Sequence, residues 1–421
     1  MKTIFRFLLL VFSVFTSMSS LFSQWVQTNG PGSPVTRLTV LGTDLYAGTT
    51  TARGNGGVYL STAADPSNWT PFGLQNRDIT GLGVSNSVLF AGTSQAGAFR
   101  DSGGVWNPLG NGIPGVNDTY IISFTSQDNY IFAGSFLLGA YRSSNGGDNW
   151  VPVNTGLQAF PTVQCFALNG NNLFLGTSDS GVYRSTNYGA LWTPARNGLS
   201  NGNVYALAVI DTILFASVPG GGGLSFSIYR SMNNGANWDL VNTQGQPPIN
   251  QFAVSGRNIF GVALGAGVYL STDLGTTWNP VNNGLPNGLT ILSIAVRGSY
   301  LYVGSSYTAT TNGFVYYRPL AEMVTDVHET GDTPTAFTLE QNYPNPFNPT
   351  TTIAFSVFQS GYVNLEIFNL LGEAIRPLIS ENLNAGTYKA AWDASAYPSG
   401  VYFYRLQAGT FSETKRLLLI W

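Results

Sequence analysis

Leu173-Phe174-Leu175-Gly176-Thr177 is one copy of a phrase, aliphatic–aromatic–x–Gly–small, that recurs along three quarters of the chain. The other clear copies are Leu45-Tyr46-Ala47-Gly48-Thr49, Leu89-Phe90-Ala91-Gly92-Thr93 and Ile131-Phe132-Ala133-Gly134-Ser135. Looser copies are Leu214-Phe215-Ala216-Ser217, Ile259-Phe260-Gly261-Val262 and Leu301-Tyr302-Val303-Gly304-Ser305. Counted at the fourth position, they lie 44, 42, 42, 41, 45 and 42 residues apart. Around each copy the residues alternate with period two and break at Gly, Asn and Asp, the pattern of short strands joined by tight turns. An alternating strand precedes the phrase. A third strand such as Gly181-Val182-Tyr183-Arg184-Ser185 follows, and a polar turn then leads to a Trp that opens a fourth. Seven units of four strands at this period indicate an all-β fold, a seven-bladed β-propeller.

The tryptophans give the expected way of closing the ring. Trp69, Trp106, Trp150, Trp192, Trp238 and Trp278 open the fourth strand of units one to six, and the seventh unit runs out at Tyr317-Arg318-Pro319 without one. Trp25-Val26-Gln27-Thr28-Asn29-Gly30 stands alone ahead of unit one and matches Trp278-Asn279-Pro280-Val281-Asn282-Asn283-Gly284. The N-terminal segment is therefore expected to supply the outer strand of the last blade, which removes an open strand edge. The propeller is expected over 24–320.

The turn before each Trp carries a resemblance. Ser271-Thr272-Asp273-Leu274-Gly275-Thr276-Thr277-Trp278 resembles the Asp-box of the bacterial neuraminidase repeat, and the turns at 143–150, 185–192 and 231–238 repeat it with Asn for Asp. In such a turn the Asx side chain ties down backbone N–H groups. The resemblance supports the propeller and implies that these turns lie on the face away from any active site.

Residues 321–335 show no periodicity and are expected to be a linker. Beyond them, 336–421 hold short alternating strands of the kind that build a small Ig-like β-sandwich. The opening Asn342-Tyr343-Pro344-Asn345-Pro346-Phe347-Asn348-Pro349, the run Pro398-Ser399-Gly400-Val401-Tyr402-Phe403-Tyr404 and the ending Lys415-Arg416-Leu417-Leu418-Leu419-Ile420 resemble the type A C-terminal sorting domain of the type IX secretion system of diderm bacteria. That resemblance implies export across the outer membrane, with the type IX machinery as partner. Residues 1–23, a basic start followed by the apolar run Phe7 to Phe15, have the layout of a secretory signal peptide. No later stretch is long and apolar enough to span a bilayer as a helix.

Composition narrows the function. Only 9% of the 421 residues are charged, against about 25% in an average domain, and the net charge is −3. Residues 24–320 carry eleven Arg and eleven Asp with no Lys and no Glu, so no basic patch is expected to neutralise a run of phosphates and nucleic acid is not an expected partner. The single His328 and single Cys165 exclude a multi-His or multi-Cys metal site and an intramolecular disulfide. No cofactor is expected. Arg142, Arg184 and Arg230 hold one position of the repeat and are expected to make one structural contact per blade.

The functional face of a propeller is built by the loops between second and third strands and by the passages between blades. Here those segments offer Arg53, Arg77, Asp78, Asp118, Tyr120, Asp179, Arg196 and Tyr307 as binding candidates. Their loops, rich in Asn, Gly, Ser, Thr and Tyr, suit a glycan or protein surface better than phosphate. The leading expectation is a surface recognition module. A glycoside hydrolase is the alternative; it usually needs two carboxyl groups about 5–9.5 Å apart, for which Asp78, Asp118 and Asp179 are the candidates. A sialidase site needs a Glu that the propeller lacks. A structural or adhesion component is the third reading.

Overall fold

The computed structural model describes residues 24–323 and 336–420, apart from 52–54, 95, 110, 114–119, 160, 201, 220–225, 243–248, 308–311 and 384. The expected signal peptide and most of the expected linker lie outside the described residues. Among the described residues the chain is all-β, and its one helix is the 3-10 turn Leu320–Glu322.

Among the described residues seven four-stranded sheets follow one another from Val26 to Pro319. The first holds Val35–Leu41, Asp44–Thr49, Gly57–Ser61 and Thr70–Gly73 in simple antiparallel order, and the next five repeat that order. In the seventh, Leu289–Arg297, Tyr300–Tyr307 and Phe314–Pro319 are joined by Val26–Pro31, which pairs Val26 with Tyr317 and Gln27 with Tyr316. The first strands of consecutive sheets touch in order, and the series returns on itself where Leu289–Arg297 meets Val35–Leu41.

The repeated phrase is the second strand of each sheet and the most buried one. Its aliphatic positions Leu45, Leu89, Ile131, Leu173, Leu214, Ile259 and Leu301 are all sealed from solvent. The glycine serves close approach rather than a turn. A Cβ on Gly92 would stand 2.0 Å from the carbonyl oxygen of Ile121, the first residue of the third sheet, and one on Gly48 would stand 2.5 Å from Ile79 of the second. Absence of the side chain thus lets the first, second, third, fourth and seventh sheets seat on the next at interior packing density.

Four turns before the tryptophans are built alike. At Ser185 the hydroxyl donates to Asn187 Oδ1 (2.9 Å) and accepts from Gly189 N (2.9 Å), while Asn187 Oδ1 also accepts from Leu191 N (3.0 Å). Ser143, Ser231 and Ser271 repeat the arrangement. Indole N–H groups of Trp192 and Trp238 then donate to Val153 and Ala195 carbonyls of the preceding sheets. Trp25, in the same way, donates to Val281 of the sixth sheet.

The repeat arginines do act structurally, though not uniformly. Arg142 donates to the Tyr188 carbonyl of the next sheet (2.7 Å) and Arg230 to that of Leu274, whereas Arg184 stays within its own sheet on Asn172. The expected linker differs at its start. Leu320–Glu322 turn back over the seventh sheet and Met323 is buried with Trp25 and Tyr316, so the packed unit runs three residues past 320.

Residues 337–419 form a separate apolar core between a three-stranded sheet (Thr338–Leu339, Thr350–Val357, Gly386–Asp393) and a four-stranded one (Ala374–Leu383, Gly361–Phe368, Gly400–Ala408, Phe411–Leu419). Phe347 of the Pro-rich opening is buried against Trp392, and Asn342 N donates to the Tyr404 hydroxyl. Burial pushes that phenol up to about 12. The opening is therefore part of the fold, not a tether.

Candidate functional site

The second-to-third-strand loops and the passages between sheets bring some of the expected residues together and leave others apart. Arg77 and Asp78 lead into the first strand of the second sheet. They line one cleft of about 120 Å³ with Thr51, Asn76, Thr93, Ser94 and Ala96, so the cleft joins a loop of the first sheet to one of the second. Asp78 is fixed there: Oδ1 accepts from Thr51 N, the Ser94 hydroxyl approaches Oδ2 at 3.5 Å, and Ser94 N donates to the Asp78 carbonyl (3.1 Å). Arg77 is exposed, with its guanidinium 5.1 Å from the centre of the Phe99 ring. A space of this size takes one functional group of a ligand rather than a whole drug-sized molecule, which needs about 300 Å³ or more.

Asp179 and Arg196 meet around Ser180 in the fourth sheet. The Ser180 hydroxyl sits 2.7 Å from both Asp179 Oδ1 and Gln158 Oε1, and Arg196 Nη1 donates to the Ser180 carbonyl (2.6 Å). Both charged side chains are exposed. Tyr120 packs edge-on to Phe136 at 6.0 Å between ring centres. Tyr307 closes its loop through N–H to Asn312 (2.7 Å), and its hydroxyl is hydrogen-bonded to Tyr316, one reason with burial that the Tyr316 phenol is raised. Arg53 and Asp118 lie outside the described residues.

Sequence reasoning alone does not nominate several of the contributors. Thr51 and Ser94 are ordinary loop residues until Asp78 is seen between them, and Thr93 is the buried end of a strand. Phe136 and Leu137 are exposed by 46% and 50%, the latter with φ 63° in the left-handed region, and both are tethered by N–H bonds to Tyr120 and Thr162. A signal for them exists: they follow the repeated phrase where the clear copies have Thr50, Ser94 and Ser178. A side chain held in a sparsely populated conformation on a loop needs such anchoring.

A larger hollow of about 390 Å³ lies on the side of the Trp turns, lined by Arg100, Asn107, Pro108, Leu109, Asn111, Gly147 and Asp148. Its charges already serve one another: Arg100 Nη1 bonds Asp148 (2.7 Å) and the Gly146 carbonyl (2.8 Å), stapling the second sheet to the third. Among the described residues no group of three or more metal-ligating side chains exists. None of their helices is long and apolar enough to cross a membrane.

Residues 341–420 match the family described as secretion system C-terminal sorting domain. No curated protein matches the chain by sequence. Among solved structures it is similar to PorZ of Porphyromonas gingivalis, a bacterial surface component of the type-IX secretion system, at 15% identity and TM-score 0.52 over 94% of this chain. The chain spans 61% of the PorZ chain. YCF48 bound to D1 peptide is 14% identical with TM-score 0.52, covering 71% of this chain and 97% of that one. The WD40 β-propeller domain of Doa1 is 13% identical with TM-score 0.53, covering 70% and 97%. Likeness at such identity shows the fold alone. The chain is thus all-β and propeller-like, and carries a type IX sorting domain that marks it for export to the surface of a diderm bacterium or beyond.

Proposed function

We propose that the chain is an exported surface recognition module: a seven-bladed Asp-box propeller, closed by its N-terminal strand, that binds a glycan or protein through the face of second-to-third-strand loops. Residues 1–23 serve as signal peptide, and the sorting domain hands the protein to the type IX machinery. The observation that carries the binding role is the Arg77–Asp78 cleft. A carboxylate pinned by donors from two sheets beside an exposed guanidinium is a pre-positioned pair of acceptor and donor, which recognises hydroxyls or amides with little ordering cost. The Tyr120–Phe136–Leu137 surface on the loops of the third sheet would add the flat apolar contact that sugar rings and side chains use. Hydrolysis has less support. Asp78 belongs to the second sheet and Asp179 to the fourth, and each is engaged by a different serine, Ser94 or Ser180.

The test is binding of the purified chain from residue 24 onward to a broad glycan array, with chain lengths checked afterwards. A selective hit lost in Arg77→Ala and in Asp78→Asn, with glycans left intact, is the expected result. Shortened glycans would replace the reading with a hydrolase. Silence across the array, repeated with surface-protein extracts, would leave a structural surface role.

A further inference from the structure

The Trp turns repeat closely enough for a departure to stand out. In the fourth, fifth and sixth sheets the residue before the turn glycine is Tyr188, Asn234 or Leu274. Each reaches back to the preceding sheet. Tyr188 lies on Tyr130 with ring centres 4.7 Å apart, Asn234 accepts from Asn169 Nδ2 (3.0 Å), and Leu274 packs on the apolar cluster of Phe215. The third sheet has Gly146 at this position, and a Cβ added there would meet only Arg100 Nη1, at 3.8 Å.

The indole differs as well. Trp192 and Trp238 donate to the Val153 and Ala195 carbonyls of the preceding sheets, whereas Trp150 donates to Gly147 of its own turn (2.9 Å). Leu109 is the counterpart of Val153 and Ala195, since the N–H of each bonds back to the third strand of its own sheet. Its carbonyl therefore receives no indole N–H. Trp278 also turns back, to Gly275, but there Leu274 occupies the position that Gly146 leaves bare. The two departures coincide between the second and third sheets, and that is where the hollow of about 390 Å³ lies. Its volume is in the range of small-ligand sites.

The walls of the hollow mix donors and acceptors around a neutral pair. The Arg100–Asp148 bridge uses Nη1 and Oδ1, and the Asp148 side chain is 59% exposed. Among the described residues the other guanidinium nitrogens and Asp148 Oδ2 make no hydrogen bond. Asn107 and Asn111 add exposed amides, and Pro108 and Leu109 a small apolar surface. A charged ligand meets a like charge here whichever sign it carries. A neutral ring of adjacent hydroxyls, each both donor and acceptor, suits the guanidinium and the carboxylate together. We propose that this hollow binds a single neutral pyranose residue of a glycan. It lies on the side of the Trp turns, apart from the Arg77–Asp78 cleft, and needs only the contact of two neighbouring sheets.

Ligand-observed saturation-transfer NMR on the chain from residue 24 onward tests the site. The probes are methyl glycosides of glucose, galactose, mannose, fucose and N-acetylglucosamine, with glucuronate and glucosamine as charged counterparts and glycerol as an open-chain polyol. The expected result is saturable binding of at least one neutral glycoside, with the charged sugars and glycerol weaker or silent. Asp148→Ala and Arg100→Leu are each expected to weaken it about tenfold or more by removing a charge-assisted hydrogen bond. The repeat already holds Ala190 and Ala236 at the first position and Leu60 and Leu270 at the second. The pair they break is partly exposed, so both variants are expected to fold and to melt close to the parent. Arg77→Ala leaves the signal unchanged. If no neutral glycoside binds above the level of glycerol, the site is overturned. A charged sugar that binds better than every neutral one overturns it too. A signal lost in Arg77→Ala but kept in Asp148→Ala belongs to the loop face and has the same consequence. A signal lost in Asp148→Ala and kept in Arg77→Ala upholds this site whatever the loop face binds.

Discussion

At the scale of single residues, the Asx side chain of each Trp turn does more than its small size implies. Asn187 Oδ1 accepts from both the Ser185 hydroxyl and Leu191 N, and the ordered turn delivers Trp192 to the preceding sheet. Asn187→Ala leaves a serine hydroxyl and a backbone donor to find new partners, and about 1–2 kcal/mol of stability is lost, read by chemical denaturation. Asn187→Asp is tolerated, because Asp273 makes the same two bonds in the sixth sheet. Gly92→Ala is costly for another reason. The new Cβ meets a backbone oxygen, which no rotamer change relieves, so about 1–3 kcal/mol is lost by overpacking. Sequence periodicity marks that glycine as part of a repeat, but its cause is Ile121 of the next sheet, to which no local pattern points. Cys165 gives a pH signature. Its thiol is pushed up to about 12 from 9.0, chiefly by burial. The folded state thus holds the proton after an unfolded thiol has released it. This contribution to stability is whole below pH 9 and declines as pH rises toward 12. Cys165→Ser flattens that part of a stability–pH curve, and a curve identical to the parent's would contradict it.

At the scale of elements, the N-terminal strand is the informative case. Val26–Pro31 completes the seventh sheet, Trp25 is buried, its indole donates to Val281, and Trp69 of the first sheet donates to Thr28. One short strand thus touches the first, sixth and seventh sheets. Removing residues 24–31 exposes the edge of Phe314–Pro319 and empties the place of Trp25. The truncated chain is expected to melt well below the parent and to aggregate through the bared edge; an unchanged melting curve would refute it. This strand is legible in the sequence because its Trp-x-x-x-Asn-Gly pattern has a missing counterpart at the end of the seventh unit. The candidate site is less legible for the opposite reason. Its loops do not repeat, so Arg77 and Asp78 can be nominated by position, whereas Thr51 and Ser94 enter only through contacts between two sheets. Tyr120 and Asp179 share no partner with that cleft, and no spacing along the chain separates them from it.

For the whole molecule, the apolar cores say how the parts depend on each other. The clusters of the seven sheets draw on residues up to Met323, and the core around Trp392 and Tyr404 draws only on residues from Phe337 onward. Cores that share no side chain are expected to unfold as separate cooperative units. Ending the chain at residue 335 should therefore leave the propeller's melting transition in place while removing a second one. Function should divide along the same line. The sorting domain carries the export signal, so in a type IX-competent host the truncated chain is expected to stop in the periplasm, folded and still able to bind whatever the full chain binds. Cell fractionation with a binding assay on the periplasmic extract reads both halves of this expectation. Surface delivery of the truncated chain would show that export information resides in the sheets themselves. Loss of binding would show that the sandwich contributes to the recognition surface.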